Sequence, residues 1–428
     1  MRFVSTRHEA PPFSFSSAIL AGLAPDGGLF VPERFPSFDP AEFETVDDFA
    51  VFTARVLRPF LAGDSLESEL AGICRRAFDF PVPLEGLRND TAVLELFHGP
   101  TAAFKDFGAR FLAECMEHAT RADPGDGRPL TILVATSGDT GGAVAAAFHR
   151  RPGTRVAILY PRGGVSARQE QQLTCWGDNV TTFSVAGTFD DCQRLVKAAF
   201  RDERMSAAHR LTSANSINIG RLLPQAAYFA GASVWYRRRH GTEAGFIVPA
   251  GNAGNAVGAF WARQMGFPVR EIALATNANR VIPDWFESAE WQPRPSVATL
   301  ANAMDVGDPS NMERLFDLYP QREKLLRIAR SLAVDDGTIR DVIAAGPSDW
   351  GRVWCPHTAT AVRFRERIDS PHWVVVATAH PAKFETIVEP LVGRVVEPPA
   401  PLADLLDRPR HVVEIEADLE ALRMGLVD

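Results

Sequence analysis

The sequence predicts an α/β protein built on open, mostly parallel sheets with helices on both faces, preceded by a mostly helical amino-terminal segment. Three observations predict it. From residue 92 onward, short apolar runs alternate with glycine-bearing turns and helical stretches. The runs are apolar throughout, as strands buried on both faces must be. The first 80 or so residues have a different texture, closed by Pro81-Val82-Pro83.

Taken in order, residues 24–32 read as a turn entering a short strand, and residues 40–80 carry helical apolar spacing. That segment is either a separate domain or a cap packed on the next one. Residues 131–135 form the first clear apolar strand, Thr136 to Gly142 its turn and residues 143–149 its helix. Residues 155–160, 161–164 and 167–176 repeat the unit, and residues 180–185 with 189–200 make a third. Further units fall at 245–265, 270–276 and 373–392, leaving residues 398–428 as a short tail with no evident regulatory domain.

Composition bounds the function. With 428 residues, 46% of them hydrophobic, the chain buries a large core and divides into roughly two or three domains. Its 45 basic and 53 acidic residues give a net charge of −8 with no basic block, which excludes a nucleic-acid role. The five cysteines are an odd, widely spaced set without a Cys-x-x-Cys pair, so we expect reduced thiols and neither a disulfide framework nor a zinc site. No metal-ligand spacing occurs among the ten histidines. The polar amino end and the lack of a long apolar window lead us to expect a cytoplasmic enzyme.

In open α/β sheets ligands gather at the carboxyl ends of strands, so the chemistry is sought in the turns. Lys105 stands between an apolar strand and a helix, flanked by Phe104 and Phe107. Desolvation by aromatics and the positive end of a helix both favour the neutral amine, the state a Schiff-base lysine needs. Alone, such a lysine also fits a snorkelling side chain. A second turn, Gly251-Asn252-Ala253-Gly254-Asn255, follows the apolar residues 246–250 and opens a helix. Its glycines bare backbone N–H groups at a helix start, which can hold a dianionic phosphate; alone, it also fits a sharp connection. It lacks the marks of a dinucleotide fingerprint and of a P-loop. A Schiff-base lysine and a phosphate cradle together suit pyridoxal phosphate.

The motifs around these turns carry a resemblance. They are Leu94 to Gly108, Ala135 to Gly141, Ile158 to Gly163, Ser213 to Ile219, Asn302 to Val306 and Thr378 to Phe384, with Gly27 to Pro32 at the amino end. The chain resembles the threonine synthases of the longer bacterial and fungal type, among the pyridoxal-phosphate enzymes of the tryptophan-synthase-β fold (fold type II). The resemblance implies an amino-terminal domain over 1–80 and a catalytic region over 81–428, in two lobes, with a smaller lobe nested at about 108–210. It implies conversion of O-phospho-L-homoserine and water to L-threonine and phosphate, by γ-elimination and β-addition.

By the same resemblance Lys105 holds the cofactor and moves protons at Cα and Cβ, Asp139 faces the cofactor's 3′-oxygen, and Thr378 stands opposite the pyridine nitrogen. Gly251, Asn252, Ala253, Gly254 and Asn255 hold its phosphate. Ser137, Thr140, Asn215, Asn218 and Arg221 are the expected substrate contacts, with Arg221 first and Lys383 second for the substrate phosphate. His98 either lines the site or is a hydrogen-bonded structural residue. Many relatives carry Phe and Asp where Ala253 and Asn255 stand, so roles at those two positions are open. Two alternatives stand beside this reading: a phospho-lyase releasing 2-oxobutyrate, phosphate and ammonia, and a non-catalytic homologue, against which the presence of Lys105 argues. We expect no metal, nucleic-acid or membrane partner, and a monomer or homodimer.

Overall fold

The structure, a computed structural model, describes residues 1–122, 125 and 127–426; the tail expected at 398–428 ends outside the described residues. Two mostly parallel sheets form two lobes. In space the larger runs Ala329–Ala333, Val269–Thr276, Ala244–Pro249, Trp373–Ala377, Thr91–Glu95 and Leu84–Gly86, and only the last pair is antiparallel. Val375 sits opposite both Val93 and Ile247, and the three central strands are buried throughout. Continuous apolar runs in the sequence therefore mark the middle of this sheet.

The smaller sheet runs Val413–Glu416, Val180–Ala186, Thr154–Pro161, Leu130–Ala135 and Arg210–Ser213, all parallel. Its first strand corrects the reading of residues 398–428 as a mere tail. The chain returns through the helix Ala400–Leu406 and adds an edge strand beside Val180–Ala186. That strand's pattern is exposed but for Ile415, so it carries little apolar signal.

Residues 3–78 are packed on the catalytic region. Phe49 meets Phe107 edge-on at 5.5 Å, Phe78 stacks on Phe111 at 6.1 Å, and Phe15 lies 6.3 Å from Phe111. One apolar cluster runs from Phe3 through these rings to Trp261, and Ile219–His240, a long helix buried over most of its length, passes through it. The same packing corrects the environment expected for Lys105. Phe107 turns into this core against Phe80 and Tyr228, and only Phe104, 5.0 Å from the amine, flanks the lysine.

Candidate active site

Lys105 is the first residue of the helix Lys105–Ala122. The loop before it is stitched to the end of Trp373–Ala377. Leu96 N–H donates to the Ala377 carbonyl at 3.0 Å, Phe104 N–H to the Thr378 carbonyl at 2.8 Å, and His380 N–H to the Ala102 carbonyl at 3.0 Å. Buried Asp106 closes the loop from within, accepting from Thr101 N–H at 2.9 Å and Thr101 Oγ1–H at 2.7 Å. Adjacent parallel strands thus bring Lys105 and Thr378 to one wall.

The opposite wall comes from the smaller lobe. Asp139 opens the helix Asp139–Phe148, four residues earlier than composition predicts, because Thr136 Oγ1 accepts from Gly138 N–H at 3.0 Å and Gly141 N–H at 2.9 Å. Its carboxylate lies 3.6 Å from Lys105 Nζ and 3.1 Å from Lys383 Nζ, and Gln169 donates to it at 3.0 Å. Burial alone would raise the Asp139 carboxyl, but Lys383 and Lys105 hold it far below the carboxylate range. Burial dominates at Lys105: it lowers the amine's pKa against the opposing pull of Asp139, with Lys383 and Arg221 acting in the same sense as burial.

Between the walls lies a cavity lined by Lys105, Asp139, Thr140, Ser216, Arg221, Gly251 to Asn255, Ala303, Met304, His357 and Thr378. All eight residues expected at the cofactor meet here, with Thr140 and Arg221 from the substrate set. The other four of that set are not among its lining residues. Lys383 is fully buried and donates to the Thr101 carbonyl at 2.7 Å, so it braces Asp139. Asn218 caps the helix Ile219–His240; its amide bonds the Ile19 and Ser213 carbonyls, each at 2.9 Å, and Gly220 N–H at 3.0 Å, which leaves nothing for a substrate. Asn215 holds the Ala135 carbonyl at 2.9 Å, and Ser137 offers its own carbonyl to Asn302 at 3.4 Å. His98 pairs with Glu95 at 2.7 Å, the structural alternative.

The turn Gly251 to Asn255 bends at Ala253, whose φ of +59° is a left-handed conformation that an alanine holds at a cost of about 1 kcal/mol. This aims the loop at the start of Gly254–Gln264, whose first N–H groups have no intrahelical partner. A Cβ on Gly251 would lie 2.6 Å from Met304 Cα, so the Asn302–Met304 turn closes tightly over the loop. Asn255 accepts from the Tyr228 hydroxyl, which leaves its amide hydrogens without a partner.

Two cavity residues, Ser216 and His357, were not singled out by the sequence. Ser216 Oγ accepts from Asn252 at 2.8 Å and Asn311 at 3.2 Å, which frees its hydrogen as a donor. His357, 3% exposed, accepts from Ala303 N–H at 3.1 Å. Three buried donor atoms on cavity residues, Asn255 Nδ2, Arg221 Nε and His357 Nδ1, lack partners among the described residues. Orphaned donors around a lysine and a helix start fit a ligand rich in acceptor oxygens, as pyridoxal phosphate is.

Comparison with known proteins agrees. A family model for pyridoxal-phosphate dependent enzymes matches residues 83–379, and the chain is a pyridoxal-phosphate-dependent enzyme of the tryptophan-synthase-β fold. Models for the threonine synthase N terminus and C-terminal region match residues 2–78 and 358–424. The chain is 38% identical to threonine synthase of Escherichia coli strain K12 over 99% of its length and 98% of that protein's. The crystal structure of the Escherichia coli enzyme superposes with a TM-score of 0.91, covering 99% of each chain. Threonine synthase from Brucella melitensis, solved with pyridoxal phosphate bound, is 34% identical at a TM-score of 0.91, over 99% of this chain and 98% of that one. The protein belongs to the threonine synthase family.

Proposed function

We propose that this protein converts O-phospho-L-homoserine and water to L-threonine and inorganic phosphate. The observation that carries the reading is a cavity with two separate seats for anions. The turn Gly251 to Asn255 serves the cofactor's phosphate, and Arg221 serves the substrate's. Arg221 is 2% exposed, donates to the Ala214 carbonyl, makes no ion pair among the described residues and keeps Nε unpartnered. A buried guanidinium with an unpartnered N–H and no counter-ion suits an anion.

Pyridoxal phosphate, when bound, supplies the electron sink that makes the substrate's Cα and Cβ protons removable. Lys105 would hold its aldehyde, Asp139 would stand at its 3′-oxygen, and Thr378 at its pyridine nitrogen. Burial shifts Lys105 toward its neutral form, the form that can take protons from Cα and Cβ and return one to Cα. Arg221, with the Ser216 hydroxyl, would stabilise the dianion as the Cγ–O bond breaks. Phosphate leaves without needing a proton. Water then supplies hydroxyl to Cβ, and a proton goes to Cγ.

No described helix is long and apolar enough to cross a membrane, and no cluster of metal-ligating side chains occurs among the described residues. We read the protein as a cytoplasmic monomer or homodimer acting on a free small molecule. The test is an assay with O-phospho-L-homoserine that follows phosphate, threonine and 2-oxobutyrate together. Equal phosphate and threonine, abolished in Lys105→Ala, are expected; phosphate accompanied by 2-oxobutyrate would reassign the protein as a phospho-lyase.

A further inference from the structure

Of the three orphaned donors on residues that line the cavity, two have an evident acceptor. Asn255 Nδ2 belongs to the phosphate loop and Arg221 Nε to the substrate anion. His357 Nδ1 has none. His357 is the second residue of the helix Pro356–Glu366, and its ring is held against Phe384 at 4.9 Å. Because Nε2 accepts the Ala303 N–H, a neutral ring must carry its hydrogen on Nδ1.

The ring is neutral. Burial pushes its pKa down to about 4; Lys105 and Lys383 act in the same sense, and Asp139 opposes them. The positive end of its own helix adds to the effect. Asp139, Lys105 and Lys383 lie together at the lysine end of the cavity, and the ring feels the charge of all three. Asp139 is an anion there, and an electron-rich ligand oxygen placed beside it would be repelled unless a donor faced it as well.

We infer that His357 is a further cofactor-contacting residue: its Nδ1–H donates to an oxygen of the group held at Lys105, while its Nε2 fixes the Asn302–Met304 turn over the phosphate loop. This rests on the pyridoxal-phosphate reading of the cavity. It gives one side chain two separable jobs, tuning the cofactor's electronics and closing the loop that retains its phosphate.

Two conservative variants separate them. His357→Gln keeps an acceptor near the ε position and loses the δ donor; His357→Asn keeps a donor near the δ position and loses the ε acceptor. Each is titrated with pyridoxal phosphate, recording the dissociation constant, the absorption maximum and the band's pH titration. In His357→Gln the band and its titration midpoint should move, by about one pH unit, the worth of one hydrogen bond to a charged group. In His357→Asn the band should stay and affinity fall several-fold. A folded His357→Gln with the wild-type band and midpoint would overturn the inference.

Wild-type protein with 15N-labelled histidine gives a second reading that needs no folded variant. The Nδ1–H resonance should move and its exchange slow when the cofactor is added; an unmoved resonance overturns the inference while the cofactor assignment stands. If the wild type takes up no pyridoxal phosphate at all, the function proposed above falls first.

Discussion

His357 is neutral because it is buried, and that has a cost on acidification. Its pKa is about 4 in the folded chain against 6.5 when exposed, so between these values the unfolded chain binds more protons. Stability therefore falls as pH drops through 6.5, and the loss is complete below about 4. At pH 5 this amounts to about 2 kcal/mol. Urea unfolding of the apoprotein at pH 7 and pH 5 should show the wild type losing about 2 kcal/mol more than His357→Gln. Half-buried His380, also pushed down to about 4, is present in both proteins and cancels. Equal losses would mean that His357 is charged in the fold. Lys105 was legible in the sequence because its neighbours within a few residues already mark a strand, a turn and a helix. His357 was not, since its meaning comes from Ala303 and Asp139, both distant in the chain and joined to it only by the fold.

Short buried elements set where side chains enter the site, and Gly138 shows how narrow the tolerance is. Its φ of +133° suits glycine alone, and a Cβ there would lie 2.6 Å from Gln169 Nε2. Gln169 donates to Asp139 at 3.0 Å and accepts from Asn302 at 3.1 Å, so displacing it loosens the helix start and the turn over the phosphate loop together. Gly138→Ala should cost about 1–3 kcal/mol of stability and lower threonine formation at least about tenfold. Gly142→Ala is the control. It lies inside the same helix, its Cβ would meet Gln172 at an ordinary 3.4 Å, and it should be neutral or stabilising by about 0.5–1 kcal/mol. Thermal melts and initial rates of the two variants check this, and equal behaviour would refute it. The central strands were legible because burial on both faces leaves unbroken apolar runs. The edge strands Arg210–Ser213, Ala329–Ala333 and Val413–Glu416 were not, because half-exposed strands of four or five residues carry mixed sequence.

At the scale of the whole molecule, Arg314 joins Asn218 in tying the amino-terminal segment to the surroundings of the site. Arg314 is fully buried without a carboxylate partner, and burial pushes its pKa down to about 9. Nε donates to the Phe30 carbonyl at 3.0 Å, in the strand Phe30–Pro32; the other nitrogens donate to the Ser216 carbonyl at 3.2 Å, the Ile217 carbonyl at 2.7 Å and Asn311 Oδ1. The amino-terminal segment, the backbone at Ser216 and Ile217 and the helix Met312–Leu318 thus meet on one guanidinium. Neighbouring surface contacts join the same parts, notably His8 to Asp317 at 2.9 Å, but His8 is 65% exposed and such a pair is worth under about 1 kcal/mol. Arg314→Met fills similar volume and strands one buried and two partly buried carbonyls, which should cost about 3–5 kcal/mol. Because Ser216 and Ile217 lose their anchor, KM for O-phospho-L-homoserine should rise even at temperatures where the variant is fully folded, while cofactor affinity changes little. His8→Ala should change stability by less than about 0.5 kcal/mol and leave KM alone. A variant at Arg314 that lost stability but kept its KM would show that the amino-terminal segment braces the fold without positioning Ser216 for the substrate.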